Sequence, residues 1–100
     1  MSYEMIVGLQ VKNDEQYDLY RQAMTPLLEN YGGGFRYDFR ISEVLKNEEG
    51  RPINRVFAIF FEDKKSMGSF FANDKYLAIK AEFFEGSVEA TTIISEYVRS

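Results

Sequence analysis

Charged side chains that could hold a small molecule alternate along one predicted strand. Arg36, Asp38 and Arg40 occupy every second position of the segment FRYDFR. Because alternate strand residues share a face, the pattern predicts two guanidinium groups flanking one carboxylate, which suits a small anion or a carboxylate ligand. Between two arginines, Asp38 is expected to have a lowered pKa and to orient a ligand rather than act as a base. A ladder of ion pairs on a solvent-exposed edge strand would give the same pattern.

Three tyrosines are predicted near the same end of the molecule, at Tyr20, Tyr31 and Tyr37. A phenol can orient or protonate an enolate-like ligand. Core aromatics whose hydroxyls reach the surface are the alternative interpretation. Together with the charged row, these tyrosines form the set of candidate ligand-binding residues, and no catalytic residue is predicted.

The segment NYGGGFRYD contains three consecutive glycines, Gly32 to Gly34. A phosphate-binding loop requires a strand, then glycines, then a helix, so that backbone amides point at the anion. Here a predicted helix precedes the glycines and a strand follows them. We therefore expect Gly32 to adopt the left-handed conformation that ends a helix, and the next two glycines to allow a tight reversal.

Composition excludes several classes of chemistry. The 100 residues predict one domain, 1–100, and include no Cys, His or Trp, which removes disulfides, thiolates and histidine-based proton transfer. No cofactor is predicted, and the spacing of Glu82, Glu85 and Glu89 defines no metal site. The net charge of −4 and the lack of a long apolar segment predict a cytoplasmic protein without nucleic-acid or membrane partners.

Hydrophobic periodicity predicts an alternation of strands and helices. The strands are expected at residues 3–11, 35–45, 54–61 and 88–98. Asn13 is expected to cap the first helix, and Pro26 to kink it. Asp63 and Asn73 are expected to begin two consecutive helical pieces, which Gly86 ends.

The order β-α-β-β-α-β predicts an α+β fold, the ferredoxin-like plait, with a four-stranded antiparallel sheet and both helices on one face. The helical crossovers also suggest parallel pairing of the first strand with the third and fourth. The residues expected to face the helices are Met5, Val7, Leu9, Phe35, Phe39, Ile41, Phe57, Ile59 and Phe61. The other face would then carry the charged row together with Ile6, Val56 and Phe60. Since a monomer would leave these apolar residues in water, we predict a homodimer.

The chain resembles a small bacterial family of domains of unknown function within the dimeric α/β-barrel superfamily. The resemblance extends from Tyr3 to Tyr97. It rests on Tyr31-Gly32-Gly33, Phe61, Phe70-Phe71, Asn73 and Tyr76. It implies a ferredoxin-like subunit whose sheets pair into a dimeric barrel. Superfamily members include cofactor-free monooxygenases, isomerases and haem enzymes, but a chain without histidine has no His ligand for haem.

The sequence is compatible with three functions. The first is a dimer that binds or transforms a small anionic or aromatic molecule in the barrel interior. The second is a non-catalytic dimerisation or stress-related module. The third is RNA binding, because residues 55–61 resemble the aromatic third strand of RNA-recognition domains. The glycine expected after Arg55 and the stacking aromatic of the first strand are both missing, and the chain is acidic.

Overall fold

The chain alternates strands and helices in the predicted order. A computed structural model describes residues 1–100. Its elements are β1 Ser2–Val11, α1 Asp14–Asn30, β2 Gly34–Arg40, β3 Arg55–Phe61, α2 Lys64–Ala72, α3 Asp74–Ile79, a π-helical turn Lys80–Phe84, and β4 Val88–Arg99. The second strand ends five residues earlier than predicted, and residues 41–54 form an irregular loop. None of the helices is long and apolar enough to span a lipid bilayer.

The helices begin at the side-chain caps expected from the sequence. Oδ1 of Asn13 accepts a hydrogen bond from the backbone N–H of Gln16 at 3.1 Å, and Oδ1 of Asp63 accepts from that of Ser66 at 2.7 Å. Asn73 caps α3 in the same way. These caps satisfy backbone donors that have no partner within the helix.

Helix α1 passes through Pro26 as one continuous helix and ends at the glycine triplet. Gly32 has a φ of +74°, as predicted. The N–H of Gly33 donates to the carbonyl of Leu28 and that of Gly32 to the carbonyl of Glu29, both at 3.0 Å. This pair of bonds is a Schellman motif, so the glycines end a helix and do not form a phosphate loop.

The sheet has the strand order β2-β3-β1-β4, and every neighbouring pair is antiparallel. The predicted antiparallel sheet is confirmed, whereas the suggestion that β1 pairs in parallel with β3 and β4 is wrong. Each helical crossover returns the chain so that the two strands it connects, β1 and β2 or β3 and β4, run the same way. The loop after β2 then reverses β3 relative to β1 and β2.

The hydrophobic core lies between the sheet and the helices. Most of the residues predicted to face the helices are buried there: Met5, Val7, Leu9, Phe57, Ile59 and Phe61. Phe35 packs against them. Because Phe57 and Ile59 are core residues, they are not free to stack on RNA bases, as the RNA-binding interpretation requires.

Strand β2 contains a β-bulge at Arg36. Phe35 lies opposite Ile59 of β3, and Tyr37 lies opposite Ala58, the adjacent residue. Two steps along β2 therefore correspond to one step along β3, which makes Arg36 an extra residue. An extra residue reverses the faces to which all later side chains point.

The bulge divides the charged row between the two faces of the sheet. Arg36 points to the face away from the helices, here called the open face, whereas Asp38 and Arg40 contact residues of α1. Tyr37 and Phe39, which stack on each other, are 57% and 52% exposed. The prediction that the three charges share one face is wrong, and so is the prediction that Phe39 faces the helices.

The loop of residues 41–54 covers part of the open face. Its Ile53 lies on Gly8 of β1 so closely that a Cβ atom there would be 2.8 Å from Cδ1 of Ile53. The side chain of Asn54 exchanges two hydrogen bonds of 2.8 Å with the backbone of Val11. Ile41, predicted to face the helices, instead lines a depression with Val56 on the open face.

Candidate functional site

An apolar cavity of about 420 Å³ lies between the sheet and the helices and is here called the inner cavity. Its lining consists of Met5, Val7, Leu9, Tyr17, Tyr20, Arg21, Met24, Phe35, Phe57, Ile59, Phe71, Tyr76, Lys80, Phe84, Thr91 and Ile93. All four strands contribute to its floor, and α1, α2, α3 and the π-helical turn contribute to its roof. Thr91 and Ile93 on the edge strand β4 are exposed, which places the opening of the cavity beside them.

Two tyrosine hydroxyls meet at the wall of the inner cavity. The Oη atoms of Tyr20 on α1 and Tyr76 on α3 are 2.9 Å apart, and both residues are buried. Tyr20 belongs to the apolar stripe of α1, and the cap at Asn73 positions the first turn of α3, which carries Tyr76. Burial raises the pKa of Tyr20 and that of Tyr76, so both phenols stay protonated.

Two cationic side chains also line the cavity, Arg21 and Lys80. The guanidinium carbon of Arg21 lies 3.8 Å from the ring centroid of Phe35, a cation–π contact. Its Nε donates to the hydroxyl of Tyr17 at 2.9 Å, and its Nη2 lies 2.8 Å from Oδ2 of Asp38. The Nη2–Oδ2 contact lacks the alignment of a hydrogen bond, so Arg21 is held by this ion pair, by its hydrogen bond to Tyr17 and by aromatic packing.

Asp38 lies between two arginines, but they are not the two that the sequence suggested. Arg55 on β3 donates to both of its carboxylate oxygens, and Arg21 supplies a second positive charge. Burial alone would raise the pKa of Asp38, but the hydrogen bonds from Arg55 and the charge of Arg21 outweigh it and hold that pKa below its ordinary value. Asp38 thus remains ionised and fixes Arg21 beside the cavity.

A separate polar cluster surrounds a fully buried carboxylate on the open face. Glu4 accepts a hydrogen bond from Nε of Arg36, one of 2.9 Å from Ser2 and one of 3.1 Å from the hydroxyl of Tyr97. Burial would raise the pKa of Glu4, but these hydrogen bonds lower it below its ordinary value. The guanidinium of Arg36 also packs over the ring of Phe60 at 4.2 Å. Arg36 is therefore occupied by an internal partner.

The candidate residues predicted from the sequence do not form one site. Tyr20 lines the inner cavity, and Asp38 lies one contact away from it, behind Arg21. Arg36 and Tyr37 lie on the open face. The row of alternating charges therefore contributes to two different networks.

The remaining two candidates lie apart from both networks. Arg40 is 72% exposed at its side chain and lies 3.7 Å from the carboxylate of Asp14 at the start of α1. The hydroxyl of Tyr31 accepts a hydrogen bond of 3.0 Å from Nδ2 of Asn73 and so links the end of α1 to the start of α3. Neither residue lines the inner cavity.

Several polar residues of the cavity wall were not predicted as site residues. Arg21 follows Tyr20 directly and comes four residues after Tyr17, so one charge interrupts an otherwise apolar helix face. That charge is the sequence feature by which Arg21 could have been identified as a site residue. Tyr76 and Lys80 are also four residues apart, but Tyr76 was noted only for the family resemblance, and no local pattern distinguishes Lys80.

Comparison with known protein families assigns the chain to one of them. The family described as a domain of unknown function, DUF1330, matches residues 3–97. The chain belongs to DUF1330. The match covers almost the whole sequence and confirms the resemblance to a domain-of-unknown-function family. The DUF1330 chain has no significant match among curated proteins.

Solved structures similar to this DUF1330 chain share its fold. The RPA0582 protein of unknown function from Rhodopseudomonas palustris has a TM-score of 0.79 at 14% identity, with 93% of this chain and 78% of that one covered. A dabb family protein with a ferredoxin-like fold from Mesorhizobium loti has a TM-score of 0.70 at 14% identity, with 99% and 97% covered. A dimeric ferredoxin-like protein of unknown function from Jannaschia has a TM-score of 0.60 at 11% identity, with 99% and 100% covered. The predicted ferredoxin-like fold is confirmed.

Proposed function

We propose that this DUF1330 protein is a homodimer that binds a small organic molecule with an apolar, aromatic body in the inner cavity of each protomer. The observation that carries the proposal is the cavity itself, with a volume of about 420 Å³ and a lining dominated by aromatic and aliphatic side chains. Small-molecule sites are typically concave and apolar and carry a few fixed polar groups. Arg21, Lys80 and the two tyrosine hydroxyls are such groups here.

The inner cavity is a better candidate than the space between two open faces. The sequence suggested that Arg36, Asp38 and Arg40 would line the barrel interior together. Arg36 is paired with the buried carboxylate of Glu4, and the other two charges face the helices. An already paired arginine on the open face has less to offer a ligand than the walls of a preformed cavity.

Two observations support the homodimer. Tyr37 and Phe39 form an exposed aromatic pair on the open face, and apolar side chains at such a position are commonly covered by a second copy. The similar protein from Jannaschia is described as dimeric. The same exposed pair favours a second candidate function, a non-catalytic dimerisation module.

Methionine methyl NMR would distinguish the two functions. Met5 and Met24 line the inner cavity, whereas Met1 is exposed and serves as the internal control. A screen of carboxylates and quinone-like aromatics should yield compounds that shift the Met5 and Met24 methyl signals and leave that of Met1 unchanged. A dimeric protein whose cavity methionines respond to no compound in the screen would instead indicate the dimerisation module.

A further inference from the structure

The hydrogen bond between the hydroxyls of Tyr20 and Tyr76 leaves one of the two hydroxyl protons without an acceptor. In a contact of 2.9 Å between two hydroxyls, one donates and the other accepts. The accepting hydroxyl retains its own proton, and neither Oη makes any other hydrogen bond within the chain. Each of the two residues is 5% exposed. A buried donor without an acceptor is unfavourable, so this proton marks a place for an acceptor.

The other polar groups that line the inner cavity do not supply that acceptor. The side chains of Arg21 and Lys80 carry donors and no acceptor. The hydroxyl of Tyr17 already accepts a hydrogen bond from Nε of Arg21, and Thr91 lies at the exposed opening. The cavity is therefore rich in donors and poor in acceptors, and a ligand that complements it must bring acceptor oxygens.

We propose that the ligand of the inner cavity carries a carbonyl-type oxygen, as in a ketone, quinone or ester, and that the Tyr20–Tyr76 hydroxyl pair donates a hydrogen bond to it. This inference rests on the function proposed above and narrows its ligand class. The proposed acceptor is neutral, because a buried carboxylate loses far more hydration than a carbonyl group does.

A matched pair of probes, 1-tetralone and tetralin, tests the inference because they differ only in one carbonyl group. Binding is followed by the methyl signals of Met5 and Met24. The wild-type protein should bind tetralone about fivefold more tightly than tetralin, the usual effect of one neutral hydrogen bond. The double variant Y20F/Y76F should lose this preference and retain its affinity for tetralin. Tyr31→Phe removes a hydroxyl outside the cavity and should keep the preference.

Single substitutions give a further check. In Tyr20→Phe or Tyr76→Phe the remaining hydroxyl keeps a free proton, so either variant should still prefer tetralone. Should the double variant fail to fold, the carbonyl stretching frequency of tetralone bound to the wild-type protein provides an independent measurement. A shift to lower frequency relative to tetralone in hexane indicates the hydrogen bond.

Each contrary result has a distinct meaning. If the wild-type protein binds neither probe, this inference fails, whereas the proposed function fails only if no compound of the wider screen shifts the Met5 and Met24 signals. If both probes bind equally, or tetralone binds with an unshifted carbonyl frequency, the cavity binds apolar molecules but the hydroxyl pair does not select a carbonyl. If Y20F/Y76F still prefers tetralone to tetralin, another donor binds the carbonyl oxygen of tetralone, and the inference is overturned.

Discussion

Asp38 accepts two hydrogen bonds from Arg55 on the neighbouring strand, with Nε–Oδ1 at 2.9 Å and Nη2–Oδ2 at 3.0 Å. Arg21 reaches the same carboxylate from α1. One side chain thus joins β2 to β3 and both strands to the helix that covers them, and it also holds the cation that lines the inner cavity.

Asp38→Asn should lower the free energy of unfolding by about 1–3 kcal/mol near neutral pH, because it removes the charge that accepts two hydrogen bonds from Arg55 and forms an ion pair with Arg21, both arginines being mostly buried. The pKa of Asp38 is lowered in the folded protein. Its contribution is therefore complete above the unfolded pKa of about 4 and is lost as the pH falls through the folded value. Urea denaturation should show the difference from wild type narrowing under acid conditions, and a constant difference would contradict the prediction. Glu43→Gln, in the exposed loop, is the control.

Arg36→Ala should lower the free energy of unfolding more than Arg40→Ala does, although both remove an arginine from β2. Arg36 is the nearest cation to the fully buried carboxylate of Glu4, so its loss should cost about 1–3 kcal/mol. Arg40 and its partner Asp14 are mostly exposed, and the loss of this pair should cost less than about 0.5 kcal/mol. Equal midpoints in urea denaturation would mean that the buried carboxylate is stabilised without Arg36.

Phe39→Glu should dissociate the proposed homodimer. Symmetry places the introduced charge twice in an apolar interface, which should weaken dimerisation about a hundredfold or more. Leu19→Glu is the matched control, since Leu19 lies on α1 and is 48% exposed, close to the 52% of Phe39. Light scattering after size-exclusion chromatography reports the mass of each variant. A dimeric Phe39→Glu protein would exclude this part of the open face from the interface.

Ile93→Trp and Ile94→Trp should differ in their effect on ligand binding although the two residues are adjacent. Ile93 lines the opening of the inner cavity, whereas the adjacent Ile94 lines the depression on the open face. Indole at position 93 should obstruct the cavity and weaken tetralone binding by about tenfold or more, which corresponds to the loss of a well-packed apolar contact. At position 94 it should leave tetralone binding unchanged. Methyl NMR titration measures both affinities, and equal effects would place the bound probe elsewhere.

Gly32→Ala and Gly68→Ala should have opposite effects on stability. Gly32 has a φ of +74°, and a Cβ atom there would lie 3.0 Å from Cγ of Glu62, so alanine should cost about 1–2 kcal/mol. Gly68 lies within α2 with no atom within 4 Å of an added Cβ, so alanine should stabilise the helix by about 0.5–1 kcal/mol. Thermal unfolding followed by circular dichroism shows whether each variant is more or less stable than the wild type. A stabilised Gly32→Ala protein would show that the Schellman turn tolerates a side chain.

The elements of this fold could be predicted because their signals are local. Strand alternation in β1, the caps at Asn13 and Asp63, and the glycine at position 32 each depend on a few neighbouring residues. The bulge in β2 could not be predicted in this way. The segment FRYDFR alternates without a break, and the faces its side chains occupy depend on distant partners, Glu4 for Arg36 and Arg55 for Asp38.

The site was harder to predict than the fold for the same reason. The Tyr20–Tyr76 contact joins residues that are 56 positions apart, and each of them alone is typical of an amphipathic helix. Arg21 was the one irregularity visible in the sequence, a charge on an apolar helix face. Its role becomes clear only once the bulge has turned Asp38 towards it.

The bulge at Arg36 also affects how relatives of this chain should be aligned. A relative with the same number of residues here but no bulge would have an unbroken strand and would present the equivalents of Asp38 and Arg40 to the open face, where a second subunit is proposed to bind. Two sequences with the same charged row could therefore differ in which surface carries it. Within DUF1330, the presence or absence of the bulge would divide proteins with a charged subunit interface from proteins with an aromatic one.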